Sequence, residues 1–72
     1  MAEDILKSGT HIARIVAVEE PDGTFAAQVY VRLEREPELA ETYIPVGIHP
    51  SEGEALAAAR QRAAEALAEN QF

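Results

Sequence analysis

Hydrophobic and polar residues alternate most clearly between residues 24 and 35. Every second residue there is apolar: Phe25, Ala27, Val29, Val31 and Leu33. A period of two is typical of a strand with one buried face. The preceding residues 20–23 place proline, aspartate and glycine where a tight turn needs them, with Gly23 in the left-handed position. The pattern predicts a central strand entered through a hairpin.

Residues 10–19 are rich in β-branched side chains and are predicted to form the first strand of this hairpin. A three-residue type I turn with a glycine bulge would pair Glu20 with Thr24, Ala17 with Ala27, Ile15 with Val29 and Ala13 with Val31. Ala13, Ile15 and Ala17 would then face the core. A register slipped by one residue would exchange the two faces of the strand.

The opposite face of the two strands is unusually apolar in this register. It carries Ile12, Arg14, Val16, Val18, Ala26, Gln28, Tyr30 and Arg32. A sheet face in water seldom holds so many β-branched residues. Either the N-terminal segment covers it, or it is an interface, most economically with a second copy of the chain.

The N-terminal residues 1–8 contain two apolar anchors, Ile5 and Leu6, followed by Gly9. They are compatible with a frayed tail, a short helical turn or a lead-in strand. We favour a loosely held segment.

Residues 42–48 alternate again and predict a third strand. Ile44, Val46 and Ile48 fall on one face, and Tyr43, Pro45 and Gly47 on the other. Proline cannot donate to a strand ladder, so this strand is expected at an edge or with Pro45 turned outward. It would pair antiparallel with the second strand, after a polar, solvent-exposed connection at residues 36–41.

A helix is predicted from Glu52 to Glu69. Ser51 is suited to cap its first turn, with Glu54 completing a capping box. The apolar stripe on a helical wheel is expected to comprise Leu56, Ala59, Ala63 and Leu67, flanked by Ala66 and Asn70. Phe72 either folds back onto the sheet edge or reaches a partner. The expected fold class is α+β: one domain over residues 1–72, with a three-stranded antiparallel sheet and one C-terminal helix packed on one face (β-β-β-α).

Composition narrows the possible partners. Thirteen acidic and six basic residues give a net charge of −7, with a pI near 4.6. This balance disfavours binding to nucleic acid or anionic lipid. A contribution to solubility explains the negative net charge, and the alternative explanation is that the protein docks onto a basic partner. The absence of cysteine, the acidic N-terminus and the lack of a 20-residue apolar run predict a cytoplasmic protein without a membrane segment.

The sequence offers little catalytic chemistry. His11 and His49 lack the neighbouring ligands that a zinc site requires. Ser8 and Ser51 stand in no nucleophile motif, and the glycines form no phosphate-binding loop. A three-stranded sheet with one helix has scarcely any room for a catalytic carboxylate pair. We therefore expect no enzyme, cofactor or metal site.

Arg14, Tyr30 and Arg32 are predicted to share the sheet face opposite the helix. Arginine and aromatic residues are enriched at binding hot spots, and they also build base-stacking platforms. Ordinary cross-strand packing is a third interpretation of the same residues.

The turn at Asp22-Gly23-Thr24-Phe25, the strand from Ala27 to Leu33 and a helix that opens with Ser51-Glu52-Gly53-Glu54-Ala55 resemble small uncharacterised bacterial proteins of β-β-β-α plan. These proteins are described as having a partial double-stranded-RNA-binding-like fold. The resemblance spans about residues 9–70 and implies the fold without an activity. It does not imply RNA binding, because true double-stranded-RNA-binding domains use a lysine-rich helix start, and Glu52 and Glu54 carry the wrong charge.

The expected function is a non-catalytic protein-interaction module that homodimerises through the open sheet face or an edge strand. Its predicted surface comprises Ile12, Arg14, Val16, Val18, Tyr30 and Arg32, with Tyr43 at the rim. The first alternative is an acidic inhibitor or antitoxin-like protein that uses Glu54, Glu65 and Glu69 on a basic nucleic-acid-binding partner. The second is a weak nucleic-acid binder that uses Tyr30, Arg14 and Arg32.

Overall fold

The computed structural model describes residues 2–33 and 41–69. Their elements are β1 (Ala2–Ser8), β2 (His11–Glu19), β3 (Phe25–Leu33), β4 (Thr42–His49) and α1 (Glu52–Glu69). The strands form one antiparallel sheet in the order β1-β2-β3-β4, and α1 packs on one face of it. The α+β class is confirmed. The expected number of strands is wrong, because the described residues contain four rather than three.

The additional strand is β1, in the segment expected to be loosely held. All seven of its residues pair with β2, from Ala2 opposite Ala17 to Ser8 opposite His11. A two-residue loop joins the strands, and Gly9 has a φ of 59°, as the first position of such a turn requires. Leu6 packs against the core. The neighbouring charges at Asp4 and Lys7 obscure this amphipathic pattern in the sequence.

The hairpin between β2 and β3 has the predicted register. Ala13, Ile15 and Ala17 lie opposite Val31, Val29 and Ala27. The amide of Glu20 donates to the Thr24 carbonyl at 2.8 Å, and the amide of Gly23 to the Glu20 carbonyl at 3.0 Å.

Asp22 stabilises the turn of this hairpin through its carboxylate. That carboxylate accepts the Thr24 hydroxyl at 2.6 Å and the Thr24 amide at 3.0 Å. The hydrogen bond from the Thr24 hydroxyl, followed by that from the Thr24 amide, lowers the pKa of Asp22 because it favours the ionised form.

The core lies between the inner sheet face and α1. The sheet contributes Ala13, Ile15, Ala17, Ala27, Val29, Val31 and Ile44. The fully buried helix residues are all alanines: Ala55, Ala59, Ala63 and Ala66. Leu56 and Leu67, expected as members of the stripe with Ala59 and Ala63, are only partly buried and pack at its margin. Alanine in the centre lets the helix approach the sheet closely, and Asn70 lies outside the described residues.

The helix begins and ends as predicted, and its cap is confirmed. The Ser51 hydroxyl accepts the Glu54 amide at 3.2 Å. The Ser51 carbonyl accepts the Ala55 amide at 3.0 Å. The first contact satisfies one of the helix-end donors that lack an intrahelical partner, and the second is the first backbone hydrogen bond of the helix.

A β-bulge in β4 changes which residues face the core. Ala27 pairs with Gly47 and Gln28 with Pro45, which leaves Val46 as the extra residue. Ile44 and Val46 consequently both pack inward, whereas Ile48 moves to the opposite face and is 60% exposed. The expectation that all three share a face is wrong for Ile48, because a bulge shifts the two-residue alternation by one. The predicted edge position is confirmed, since β4 ends the described strand order.

Glycine is required at the bulge. Gly47 has a φ of 118°, a region that side-chain-bearing residues rarely adopt. A Cβ there would meet only the His49 ring, at 4.0 Å, so the cost of a side chain is backbone strain rather than a clash. We expect Gly47→Ala to lower the free energy of unfolding by about 2 kcal/mol in chemical denaturation.

Gly53→Ala is the matched control for this substitution. Gly53 lies in α1 with open space around its Cβ position, so alanine should raise the free energy of unfolding by about 0.5 kcal/mol. Equal effects at the two glycines would contradict the bulge geometry.

Candidate protein-interaction surface

The sheet face opposite α1, called the open face, is built from all four strands. By register it comprises Glu3, Ile5, Lys7, Ile12, Arg14, Val16, Val18, Ala26, Gln28, Tyr30, Arg32, Tyr43, Pro45 and Ile48. The seven residues predicted for an interaction surface are all among them. The structure therefore brings the predicted set together on one surface.

The small apolar residues of the open face are already covered within the protomer. Val16 is 3%, Ile12 7% and Ala26 8% exposed. Longer cross-strand neighbours flank them, such as Lys7 and Arg32 on either side of Ile12. Residues 2–8 extend the sheet sideways as β1 instead of lying over the open face, so the alternative of an N-terminal cover is wrong.

The exposed apolar surface lies at the borders of the open face. Within the described ranges, the exposed large hydrophobic side chains are Ile5 (49%), Tyr43 (49%) and Ile48 (60%). One comes from β1 and two from β4, and all three point away from α1. The helix side thus lacks any such exposed side chain among the described residues.

A row of cross-strand partners crosses the middle of the open face. Ile5, Arg14, Tyr30 and Tyr43 are successive partners from β1 to β4. The Arg14 guanidinium lies 4.5 Å from the centroid of the Tyr30 ring. The Tyr30 and Tyr43 rings are 5.2 Å apart, tilted by 33°. This geometry suits a cation–π contact followed by an aromatic pair.

Two carboxylates hold Arg14 in this position. Its guanidinium donates to Glu3 at 3.1 Å and to Glu41 at 3.0 Å. Glu3 belongs to β1 and Glu41 directly precedes β4, so the arginine links the two edges of the sheet across Tyr30. The hydrogen bond to Glu41, then that to Glu3, raises the pKa of Arg14. The surface is therefore preorganised around a fixed, charged residue.

The two central arginines have protein partners for their donors. Arg14 is paired with Glu3 and Glu41, and Arg32 donates to the Leu33 carbonyl at 3.3 Å. The Tyr30 hydroxyl donates to Gln28 at 2.9 Å. A nucleic-acid phosphate would have to displace carboxylates from Arg14, which counts against the base-stacking interpretation.

Charge is unevenly distributed between the two sides of the molecule. The open face carries Lys7, Arg14 and Arg32, three of the five basic residues in the described part of the chain, against Glu3 and the adjacent Glu41. The helix side exposes Glu52, Glu54, Glu65 and Glu69. Arg60 of α1 forms an ion pair with Asp4 of β1. The acidic helix surface needed by the inhibitor hypothesis is thus exposed, although its role stays a prediction.

The histidines lie far apart on the sheet. His11 is opposite Leu33 and His49 opposite Phe25, at the two ends of β3. Eight residues of strand at about 3.3 Å each separate them by roughly 26 Å. Among the described residues, the buried Nε2 of His49 has no hydrogen-bond partner. In residues 2–33 and 41–69 there is no group of three side chains suited to hold a metal ion.

Sequence reasoning missed several residues that shape the open face. Ile5 and Glu3 lie on the open face only because residues 2–8 form β1. The available sequence signal for this strand was a two-residue loop containing Gly9 after an alternating segment. Ile48 depends on the bulge, for which Gly47 inside a strand was the available signal. The sequence predicts Glu41 in a solvent-exposed connection and does not indicate its pairing with Arg14. The rest of that connection, residues 36–40, and Phe72 lie outside the described residues.

Comparisons with known proteins add no assignment. The chain matches no protein-family model. It has no significant match among curated proteins or among solved structures. In the part of the chain that is described, α1 is not apolar enough over its length to cross a bilayer.

Proposed function

We propose that the protein is a non-catalytic protein-interaction module that binds a second copy of itself through the open face. The observation that carries this proposal is the position of Ile5, Tyr43 and Ile48, the exposed large apolar side chains of the described residues, on one face. Between them lies an arginine–tyrosine cluster of the composition found at interface hot spots.

The size of the open face supports a weak, reversible dimer. Four strands about 4.8 Å apart, each of about eight residues at 3.3 Å, cover roughly 500 Å². Two such faces would bury about 1,000 Å², the lower limit for specific protein–protein interfaces. We therefore expect a dissociation constant in the micromolar range rather than an obligate dimer.

Charge also favours self-association through this face. In a face-to-face dimer the two acidic helix surfaces lie on opposite outer sides, where solvent and salt screen their repulsion. Arg14 of each copy is accompanied by its own Glu3 and Glu41, so the two arginines meet as neutralised groups. The surface does not depend on a partner of opposite charge.

Ile48→Glu tests the proposal most directly. Ile48 is exposed in the protomer, so the substitution leaves the core intact while placing a charge in the apolar border of the interface. We expect the wild-type protein to dimerise with rising concentration, at low and at high salt, and the variant to dissociate at least tenfold more readily. Sedimentation equilibrium or light scattering across a concentration series measures both.

Ala64→Glu is the control, because it adds the same charge on the exposed side of α1. It should leave the dimer unchanged. Val16 is unsuitable for this test, since a buried glutamate there would unfold the protomer. A wild-type protein that stays monomeric throughout, or equal behaviour of Ile48→Glu and Ala64→Glu, would refute the proposal.

A further inference from the structure

The row of cross-strand partners on the open face differs in size and charge between its two ends. It runs from aliphatic Ile5 on β1 through Arg14 and the Tyr30 ring to a second aromatic ring, Tyr43, on β4. The two outer members, Ile5 and Tyr43, are each 49% exposed. The centre of the four-stranded sheet falls between β2 and β3, with two members of the row on each side. The row is therefore asymmetric about the middle of the open face.

One placement of the two-fold axis in a face-to-face dimer lies along this row, perpendicular to the strands. Each side chain of the row then lies opposite its own copy, as an isologous contact on the axis requires. Arginine faces arginine, and like charges placed opposite each other weaken association. Two isoleucines fill less space than two tyrosines. Sheets held about 10 Å apart would therefore be underpacked at one border and overpacked at the other.

A second placement of the axis runs parallel to the strands, between β2 and β3. It reverses the order of the row in the second copy, so that β1 lies over β4 of the partner and β2 over β3. Ile5 then faces the partner's Tyr43 at both borders, and Arg14 faces the partner's Tyr30 on both sides of the axis. Each border combines a smaller with a larger side chain, and each arginine faces an aromatic ring. Both the packing and the charge of the row favour this placement.

We propose that the second copy docks in this orientation, with the two-fold axis parallel to the strands and Ile5 of each copy packed against Tyr43 of the other. This orientation rests on the proposed function and specifies which residues of the open face meet. Rotation about such an axis leaves every residue at the same height along the strand, so the register is fixed as well. Twisted sheets that pack face to face cross at about 30°, which retains these contacts near the axis.

The contacts of Arg14 within the protomer are compatible with this docking. Its guanidinium N–H groups donate to Glu3 and Glu41, and its own Tyr30 ring lies 4.5 Å away. The Arg14 side chain is nevertheless 35% exposed. The partner's Tyr30 packs against this exposed part, and neither carboxylate has to be displaced.

Nuclear Overhauser effects in the wild-type dimer test the orientation without any substitution. Within one protomer Ile5 and Tyr43 are three strand spacings apart, about 14 Å, too far for such an effect. We expect a cross-peak between the Ile5 methyl groups and the Tyr43 ring that grows with the dimer fraction and persists in isotope-filtered spectra of a half-labelled sample. A dimer that lacks this cross-peak, or shows an Ile5–Ile5 contact instead, would overturn the orientation alone. A protein that stays monomeric would refute the proposed function and the orientation with it.

Complementary charges provide a second test. Ile5→Glu and Tyr43→Lys change half-exposed side chains, so both variants should stay folded, and each alone should dimerise at least tenfold more weakly than the wild type. In an equimolar mixture the introduced charges meet at one border, while the other border keeps its native Ile5–Tyr43 contact. We expect the mixture to dimerise at least tenfold more tightly than either variant alone, as sedimentation equilibrium measures.

The matched control is a mixture of Ile5→Glu with Ile48→Lys. It introduces the same two charges on the same two strands, but the lysine lies about 13 Å further along β4, at the level of Val18. This mixture should not recover. Equal behaviour of the two mixtures, with a wild-type protein that dimerises, would overturn the orientation and leave the open face as the interface.

Discussion

Replacement of Ile15 by alanine is expected to lower the free energy of unfolding by about 3 kcal/mol. Ile15 is among the largest fully buried side chains, and it lies beside its cross-strand partner Val29 in the core cluster with the alanines of α1. Truncation removes its buried methyl and methylene groups and leaves a cavity that the surrounding sheet cannot close. A chain of 72 residues has a total stability of about 4–11 kcal/mol, so this loss is a large fraction of the whole.

Thermal and urea unfolding measure this effect, with an expected fall in Tm of about 12–24 °C. Ile48→Ala is the matched control, since it makes the same change at an exposed isoleucine. Measured at a concentration below that of self-association, the control should lose less than about 1 kcal/mol. Similar losses at positions 15 and 48 would mean that the core does not lie between the inner sheet face and the helix.

Ala59→Leu is expected to destabilise the fold by about 3 kcal/mol for the opposite reason. Ala59 is fully buried in the centre of the helix face, where three further carbon atoms have no space. Accommodating them would force α1 away from the sheet and expose the neighbouring alanines. Leucine is more apolar than alanine and has a similar helix propensity, so only the close packing at this position predicts a loss of stability.

Ala64→Leu separates packing from composition, because Ala64 is exposed on the same helix. We expect it to change the free energy of unfolding by less than about 0.5 kcal/mol. A crystal structure or the chemical shifts of β2 and β3 would show whether α1 is displaced in Ala59→Leu. A stable Ala59→Leu protein with an unmoved helix would contradict the close helix–sheet approach described above.

Much of the central fold was predictable because its determinants are local. The β2–β3 register followed from one turn, in which Pro21, Asp22 and Gly23 each suit a single position. The helix start followed from Ser51, whose hydroxyl accepts an amide three residues later. Strong local chemistry of this kind acts within a few residues and can be recognised without knowledge of the tertiary structure.

Features that depend on distant partners were not predictable in the same way. β1 is a strand because the outer edge of β2 is available to it, and its own charged residues hide the alternation. The bulge at Val46 breaks the two-residue period, so the pattern assigned Ile48 to the wrong face. The alanine stripe of α1 was underestimated because leucine carries more apolar surface, although the close approach of helix and sheet leaves central space only for alanine.

The candidate surface was predicted in its residues but not in its organisation. Ile12, Val16, Arg14 and Tyr30 follow from the hairpin register alone. The exposed apolar residues Ile5 and Ile48 require the unpredicted strand and bulge. Arg14 is separated from Glu3 by 11 positions in the sequence and from Glu41 by 27, and no local pattern indicates that these residues pair.

The alanine face of α1 also affects the entropy of docking the helix. A buried alanine has no side-chain rotamers to lose, whereas each buried leucine or methionine would lose side-chain conformational entropy at a cost of about 0.5–2 kcal/mol. Ala55, Ala59, Ala63 and Ala66 therefore attach the helix with little ordering of side chains. The helix contacts the sheet mainly through the close approach of the two backbones rather than through interlocking side chains. Its orientation therefore depends on the groups at its margins, which are Leu56, Leu67 and the Arg60–Asp4 pair.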